Sequence, residues 1–143
     1  MSTTTGSMVD AESAVRDYLM TTAVQQRLTN YGSAIKVYCG EYNPDAPRTS
    51  IMVREAGGLG GNPYLRISRP WIQVWVRSDT VDKAKTFIAR VDDELHQYGP
   101  NALNTTVYCL CCLRNTDRQR FDDPDTNLVR YFIVYALQCR RIE

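Results

Sequence analysis

The C-terminal run NLVRYFIVYALQCRR, Asn127 to Arg141, carries apolar side chains at both odd and even positions. Successive side chains of a strand point to opposite faces, so such a run has two faces to bury and belongs inside a sheet. TTVYCLCCLRN, Thr105 to Asn115, has the same character. RPWIQVWVRS, Arg69 to Ser78, alternates more sharply, with Ile72, Val74 and Val76 on one face and Trp71, Gln73, Trp75 and Arg77 on the other. Two earlier strands are read in SAIKVYCGEY, where Ile35, Val37 and Cys39 share a side, and in TSIMVREA, where Ile51 and Val53 share a face with Glu55. NPDAPR separates them, because two prolines cannot continue a ladder.

Two helices accompany these strands. Asp10 is suited to cap a helix running to Leu28, with Ala14, Val15, Tyr18 and Leu19 as its apolar stripe and TNYG as its stop. Ser78 or Asp79 caps a second helix, Asp82 lies near its positive end, and Gly99–Pro100 ends it. Val81, Ala84, Ile88, Val91 and Leu95 recur at three- and four-residue steps and form one stripe. The expectation is an α+β single domain: a mixed, mostly antiparallel sheet of four to five strands with two helices packed on one face. A chain of 143 residues supplies one core. Residues 1–9 are expected to be a flexible N-terminus and 10–143 the domain.

This layout leaves a mismatch. Two helices cover one face of a five-stranded sheet. The other face still carries Trp71, Trp75 and several of Tyr131, Phe132, Ile133 and Tyr135. A patch of that size is seldom left in water, so a partner chain is the simplest cover.

Composition narrows the functions. A formal net charge of +1 gives no long-range pull toward nucleic acid or a membrane surface. The start, MSTTTGSMVDAESAV, lacks a basic segment followed by an apolar run, so secretion is not expected. No run approaches the roughly 20 apolar residues that cross a bilayer. Five cysteines (Cys39, Cys109, Cys111, Cys112 and Cys139) are an odd number without disulfide or zinc spacing, and are read as reduced thiols that pack. The CLCC members are expected to alternate between the two faces of their strand.

Catalytic and cofactor groups are likewise not expected. His96, the only histidine, falls at a helix end, the acidic residues of VDDELHQ form a solvated face, and those of FDDPD suit turns and caps. The glycine-rich stretch REAGGLGGNPYLRISRP leads into a strand, whereas a phosphate cradle leads into a helix terminus. It reads as a long connection, Gly57 to Arg69, that grips protein through Arg54, Gly57, Gly58, Tyr64, Leu65, Arg66 and Arg69, beside Trp71, Gln73 and Trp75. Two other readings stay open: a thiol enzyme using Cys111 or Cys112, and a nucleic-acid-binding domain using Arg114, Arg118, Arg120, Arg140 and Arg141.

The succession IMVREAGG, a glycine/proline loop, RPWIQVWVRS and a helix ending LHQYG resembles the tail terminator (minor capsid or tail-completion) proteins of long-tailed bacteriophages. The resemblance extends from Asp10 to Arg140 and is sharpest over Ile51 to Leu95. It implies a structural, non-enzymatic virion protein, made in the host cytoplasm, that forms a ring, commonly of six copies, on the end of the tail tube. The ring stops tube polymerisation and joins the head; a head-completion (connector) protein is the related alternative. The implied partners are further copies of itself, the tail tube protein, the head connector and genome DNA passing through the lumen without sequence-specific binding. No cofactor, metal or membrane is implied. On this resemblance the loop would reach a neighbouring subunit or the tube. Arg118, Arg120, Asp122 and Asp123 in TDRQRFDDPD, read as a charged loop, would face the connector.

Overall fold

The computed structural model describes residues 9–42, 45–62 and 67–142. The expected flexible N-terminus lies outside them except for Val9, which packs against the core. The first helix, α1 (Ala11–Leu19), starts where expected, with the Asp10 carboxylate accepting from Ser13 N–H at 3.0 Å. It does not run on to Leu28. Thr21 is extended, with φ −64° and ψ 149°, and a separate helix, α2 (Thr22–Thr29), follows it. The break is supported by side chains. Thr21 Oγ1 donates to Tyr18 O at 2.8 Å. The buried Gln25 donates from Nε2 to Leu19 O at 2.8 Å and accepts from Ile35 N–H through Oε1 at 2.8 Å. One amide thereby satisfies a helix-end carbonyl and the chain leading into the sheet.

The sheet begins with β1 (Val37–Cys39), shorter than the expected run, which pairs in parallel with β2 (Ser50–Asn62). β3 (Ile67–Ser78) returns antiparallel to β2. The third helix, α3 (Val81–Leu95), is capped by Thr80, one or two residues beyond the expected cap, and stops before Gly99–Pro100. Then come β4 (Asn101–Ala102), β5 (Val107–Arg114), β6 (Gln119–Arg120) and β7 (Val129–Arg141). The expectation of four to five strands and two helices is therefore corrected, among the described residues, to a seven-stranded mixed sheet and three helices. The order is β1-β2-β3-β7-β5-β4, and β6 also pairs with β7. The charged stretch TDRQRFDDPD is not wholly a loop, because β6 lies within it and pairs with Phe132 and Tyr131.

β7 is an inner strand, as its two apolar faces require: β3 flanks one side, β5 and β6 the other. Ile51, Val53, Ile72, Val74, Val76, Ile133, Tyr135 and Leu137 face the helices and are almost fully buried against Val15, Leu19, Ala84, Ile88 and Val91. Tyr131, Ile133 and Tyr135 thus belong to the covered face, which corrects their tentative placement on the open one. Glu55 does not follow Ile51 and Val53 into the core and is exposed. Cys109, Cys111 and Cys112 do not alternate evenly, because a register shift between Cys109 and Cys111 puts Cys109 and Cys112 in the core and leaves Cys111 half-buried.

Both sheet edges are blunted by local groups. Gln97 N–H donates to Cys112 O at 2.7 Å and Arg114 N–H donates to His96 Nδ1 at 3.0 Å, closing the β5 side. On the other edge β1 gives out at Cys39. Gly40 N–H donates to Val53 O at 2.8 Å, and the Glu12 carboxylate accepts from Glu55 N–H at 2.9 Å. This is a common protection against unwanted strand addition. It places the Glu55 carboxyl near those of Glu12 and Asp10; although the residue is largely exposed, partial desolvation of the carboxyl first, then these two charges, push it above its usual value of 4.5. A raised carboxyl favours the fold below that value and loses the contribution as pH rises through its folded value. Glu55→Gln is expected to raise the urea midpoint slightly at pH 7 and leave it unchanged near pH 3.5, which parallel urea melts check.

Candidate functional site: the open face of the sheet

The face of the sheet away from the helices is organised in rows set by the strand register. Met52, Trp75 and Phe132 stand side by side across three strands, and Trp71, Ala136 and Leu113 form a second apolar row. Arg54, Gln73 and Val134 lie between them. Trp75 stacks on Phe132 with ring centroids 4.3 Å apart and 21° between planes. Its Nε1–H donates to Gln73 Oε1 at 3.1 Å, so the indole is held while its apolar surface stays available. Phe121, just after β6, meets Trp75 edge-on at 6.3 Å. Arg130 places its guanidinium 5.1 Å from the Trp75 ring and 5.4 Å from the Phe121 ring, and its Nε donates to Phe121 O at 3.0 Å.

One end of this face is covered by the chain itself. Arg77, buried despite its charge, donates to Ser50 Oγ at 3.0 Å and to the carbonyls of Ala46 and Pro47 at 3.2 Å. Its guanidinium lies 4.0 Å over the Tyr42 ring. The opposite end is open. There Leu59, Arg69, Trp71, Cys111, Leu113 and Gln138 help line a groove of about 110 Å³. Among the described residues five large hydrophobic side chains are exposed, and three of them, Leu59 (57%), Leu113 (48%) and Phe121 (57%), edge this one face. That clustering separates it from ordinary scattered surface apolar groups.

The structure brings part of the sequence-predicted set together. Arg69, Trp71, Gln73 and Trp75 are half-buried on the open face, and Arg54, Gly57 and Gly58 are exposed on β2 beside it. Tyr64, Leu65 and Arg66 lie outside the described residues. The connection itself is corrected: Gly57–Asn62 and Ile67–Arg69 belong to β2 and β3, which pair as far as Asn62 and Ile67 with two register shifts. The result is a bulged arm of the sheet, in which β3 still pairs with β7 at Ser68 and Cys139. Glycine tracts read as loop because a ladder gains little from them; here the close approach of the two strands demands one. A Cβ on Gly58 would stand 2.4 Å from Arg69 O and 2.8 Å from Pro70 Cα, at a φ of +147°. Gly58→Ala is expected to cost about 2 kcal/mol, felt as loosening of the arm rather than of the core. Faster protease cleavage between residues 54 and 69, with a near-normal thermal midpoint, is the expected readout.

The second predicted set is divided, with Asp122 and Asp123 near enough to Arg130 to feel its charge and Arg118 on the other face. Arg118 sits 6.0 Å over the Tyr131 ring, on the helix side of the sheet. Arg120 and Asp122 form an exposed ion pair at 2.9 Å, which holds the Asp122 carboxyl below its usual range. Asp123 accepts from Asp125 N–H at 2.9 Å, a turn role that lowers it in the same sense. Leu59, Leu113, Phe121 and Arg130 were missed by sequence reasoning, whereas Phe132 was among the residues offered for this face. Phe121 had no signal outside three dimensions, whereas Leu113 and Arg130 follow from alternation once the buried parity of their strands is fixed.

An apolar, arginine-edged sheet face has the chemistry of a protein contact. The comparisons agree with that character. A family model described as bacteriophage tail terminator protein matches residues 10–124. The chain belongs to the bacteriophage tail terminator family. Among solved structures, a chain of the virion of a native gene transfer agent particle has a similar fold, with a TM-score of 0.61 at 16% identity over 90% of this chain and 93% of that one. No curated protein sequence matches. The tail terminator family is one of structural tail-associated phage proteins. Among the described residues no helix is long and apolar enough to cross a membrane.

Proposed function

We propose that this tail terminator is a non-enzymatic subunit of a ring, six-membered as is common in the family, that caps the tail tube. The ring ends tube polymerisation and presents the surface on which the head connector docks. The observation that carries the reading is the open sheet face, where Trp75, Phe132 and Phe121 are stacked and clamped by Arg130 while the opposite face is fully used by the helices. In a cyclic ring each subunit offers two different patches. The open face with its arm is one. The other is a second surface that meets the next subunit, and Arg118, Arg120, Asp122 and Asp123 are assigned to the connector. A net charge of +1 suits a lumen that lets DNA slide through without sequence-specific hold.

The test is to polymerise tail tube protein with and without the purified chain and to examine the tubes by negative-stain microscopy. Shorter tubes bearing one ring at an end support the reading. Binding to portal rings in place of tube ends would make the chain a head-completion protein. A protein that stays monomeric and leaves tube length unchanged contradicts both.

A further inference from the structure

Cys109 and Cys139 were read from the sequence as packing residues, and the register gives them more. They stand directly opposite each other on β5 and β7. Ile142 N–H donates to Thr106 O at 2.9 Å, which brackets Val107 and Arg141 as a pair that exchanges no hydrogen bonds between its own members. Alternation makes Tyr108–Arg140 the bonded pair and Cys109–Cys139 again a non-bonded one. Opposed residues of that kind have Cα atoms about 4.5 Å apart and their side chains at closest approach, within the roughly 4.4–6.8 Å that a disulfide spans. Both residues have no exposed surface and share the helix-covered face.

We propose that Cys109 and Cys139 are an oxidation site that closes a disulfide between β5 and β7. The site is independent of ring formation. The two thiols differ from the other three. A hydrogen bond from Cys139 holds the Cys109 thiol below its ordinary value and raises Cys139 itself, whereas burial raises Cys39, Cys111 and Cys112. Cys109 is therefore the attacking sulfur and Cys139 the resolving one. Hydrogen peroxide, small and uncharged, is the oxidant class assigned to this pair, and local opening of the β5 edge admits it. The Cys109 thiolate attacks one peroxide oxygen, the O–O bond breaks, and hydroxide leaves, giving a sulfenic acid at Cys109. The Cys139 sulfur then displaces that hydroxyl, which departs as water with the Cys139 proton. Two thiols are oxidised by two electrons and one peroxide is reduced. Cys111, which faces the opposite side of the sheet, does not enter the bond.

The experiment treats the native full chain with dilute hydrogen peroxide, quenches with catalase, then denatures and alkylates it without reduction. The expected product is a monomer carrying three alkyl groups where the untreated protein carries five, whose digest joins the peptides holding Cys109 and Cys139. Wild-type protein alone gives this map, so the result does not depend on any variant folding. Cys111→Ser is expected to bridge as wild type does, and Cys139→Ser to give no bridge and to leave Cys109 as a sulfenic acid trapped by dimedone. Peroxide treatment that leaves both Cys109 and Cys139 alkylatable, or that joins chains only through Cys111 or Cys39, overturns the proposal.

Discussion

Trp75→Ala is expected to yield a folded subunit that no longer forms rings. The neighbours of Trp75 along β3, Val74 and Val76, point into the core and are fully buried, whereas the indole is half-exposed on the other face. Within the monomer its removal deletes a stack on Phe132 and an internal hydrogen bond to Gln73. An aromatic stack contributes about 0.5–1.5 kcal/mol, so the urea midpoint should fall only modestly. At an interface, a buried tryptophan anchor commonly carries 2 kcal/mol or more, and a closed ring repeats the contact at every joint. Mass photometry beside a urea melt separates the two. A monomer destabilised by about 3–5 kcal/mol, the usual cost of deleting a core aromatic, would place Trp75 in the subunit's own core instead.

Tyr135→Ala is expected to do the reverse and destroy the fold. Tyr135 is the largest fully buried side chain among the described residues, on the central strand and beneath α3. Its hydroxyl donates to Asp92 Oδ1 at 2.9 Å, while Arg114 donates to Asp92 Oδ2 at 2.8 Å, so one helix carboxylate joins the sheet at two points. Truncation leaves a cavity and costs about 3–5 kcal/mol, a large part of the roughly 5–15 kcal/mol that holds a domain together. Tyr135→Phe keeps the volume and removes only the hydroxyl. With Arg114 still bound to Asp92, it should cost about 1–2 kcal/mol. Circular dichroism melts of the two variants give the order; equal losses would show that the hydroxyl, not the packing, dominates.

The parts of this structure legible in the sequence are those written in side-chain period. Alternation in Arg69–Ser78 separated a core face from a face bearing Trp71, Gln73 and Trp75, and both faces lie where alternation puts them. The stripe of α3 was equally plain. What was not legible depends on contacts distant in sequence. The split between α1 and α2 rests on Gln25 bridging Leu19 and Ile35, and a glutamine in TTAVQQ gives no sign of that. The strand β6 is two residues held by β7 amid charges that read as loop. The arm looked like a loop because its glycines weaken any strand signal, although one of them is what lets its strands approach. The site was half visible: its tryptophans stood out and alternation along β7 places Arg130 on their face, but Phe121, which completes the platform, comes from a segment with no pattern linking it to β3.

A cryo-electron microscopy map of the chain bound to the end of a tail tube tests the central claim most directly. The expected map is a closed ring in which Trp71, Trp75 and Phe132 of each subunit are covered by the next subunit. A ring whose open sheet faces are bathed in solvent or line the lumen, with the joints made elsewhere, would contradict it.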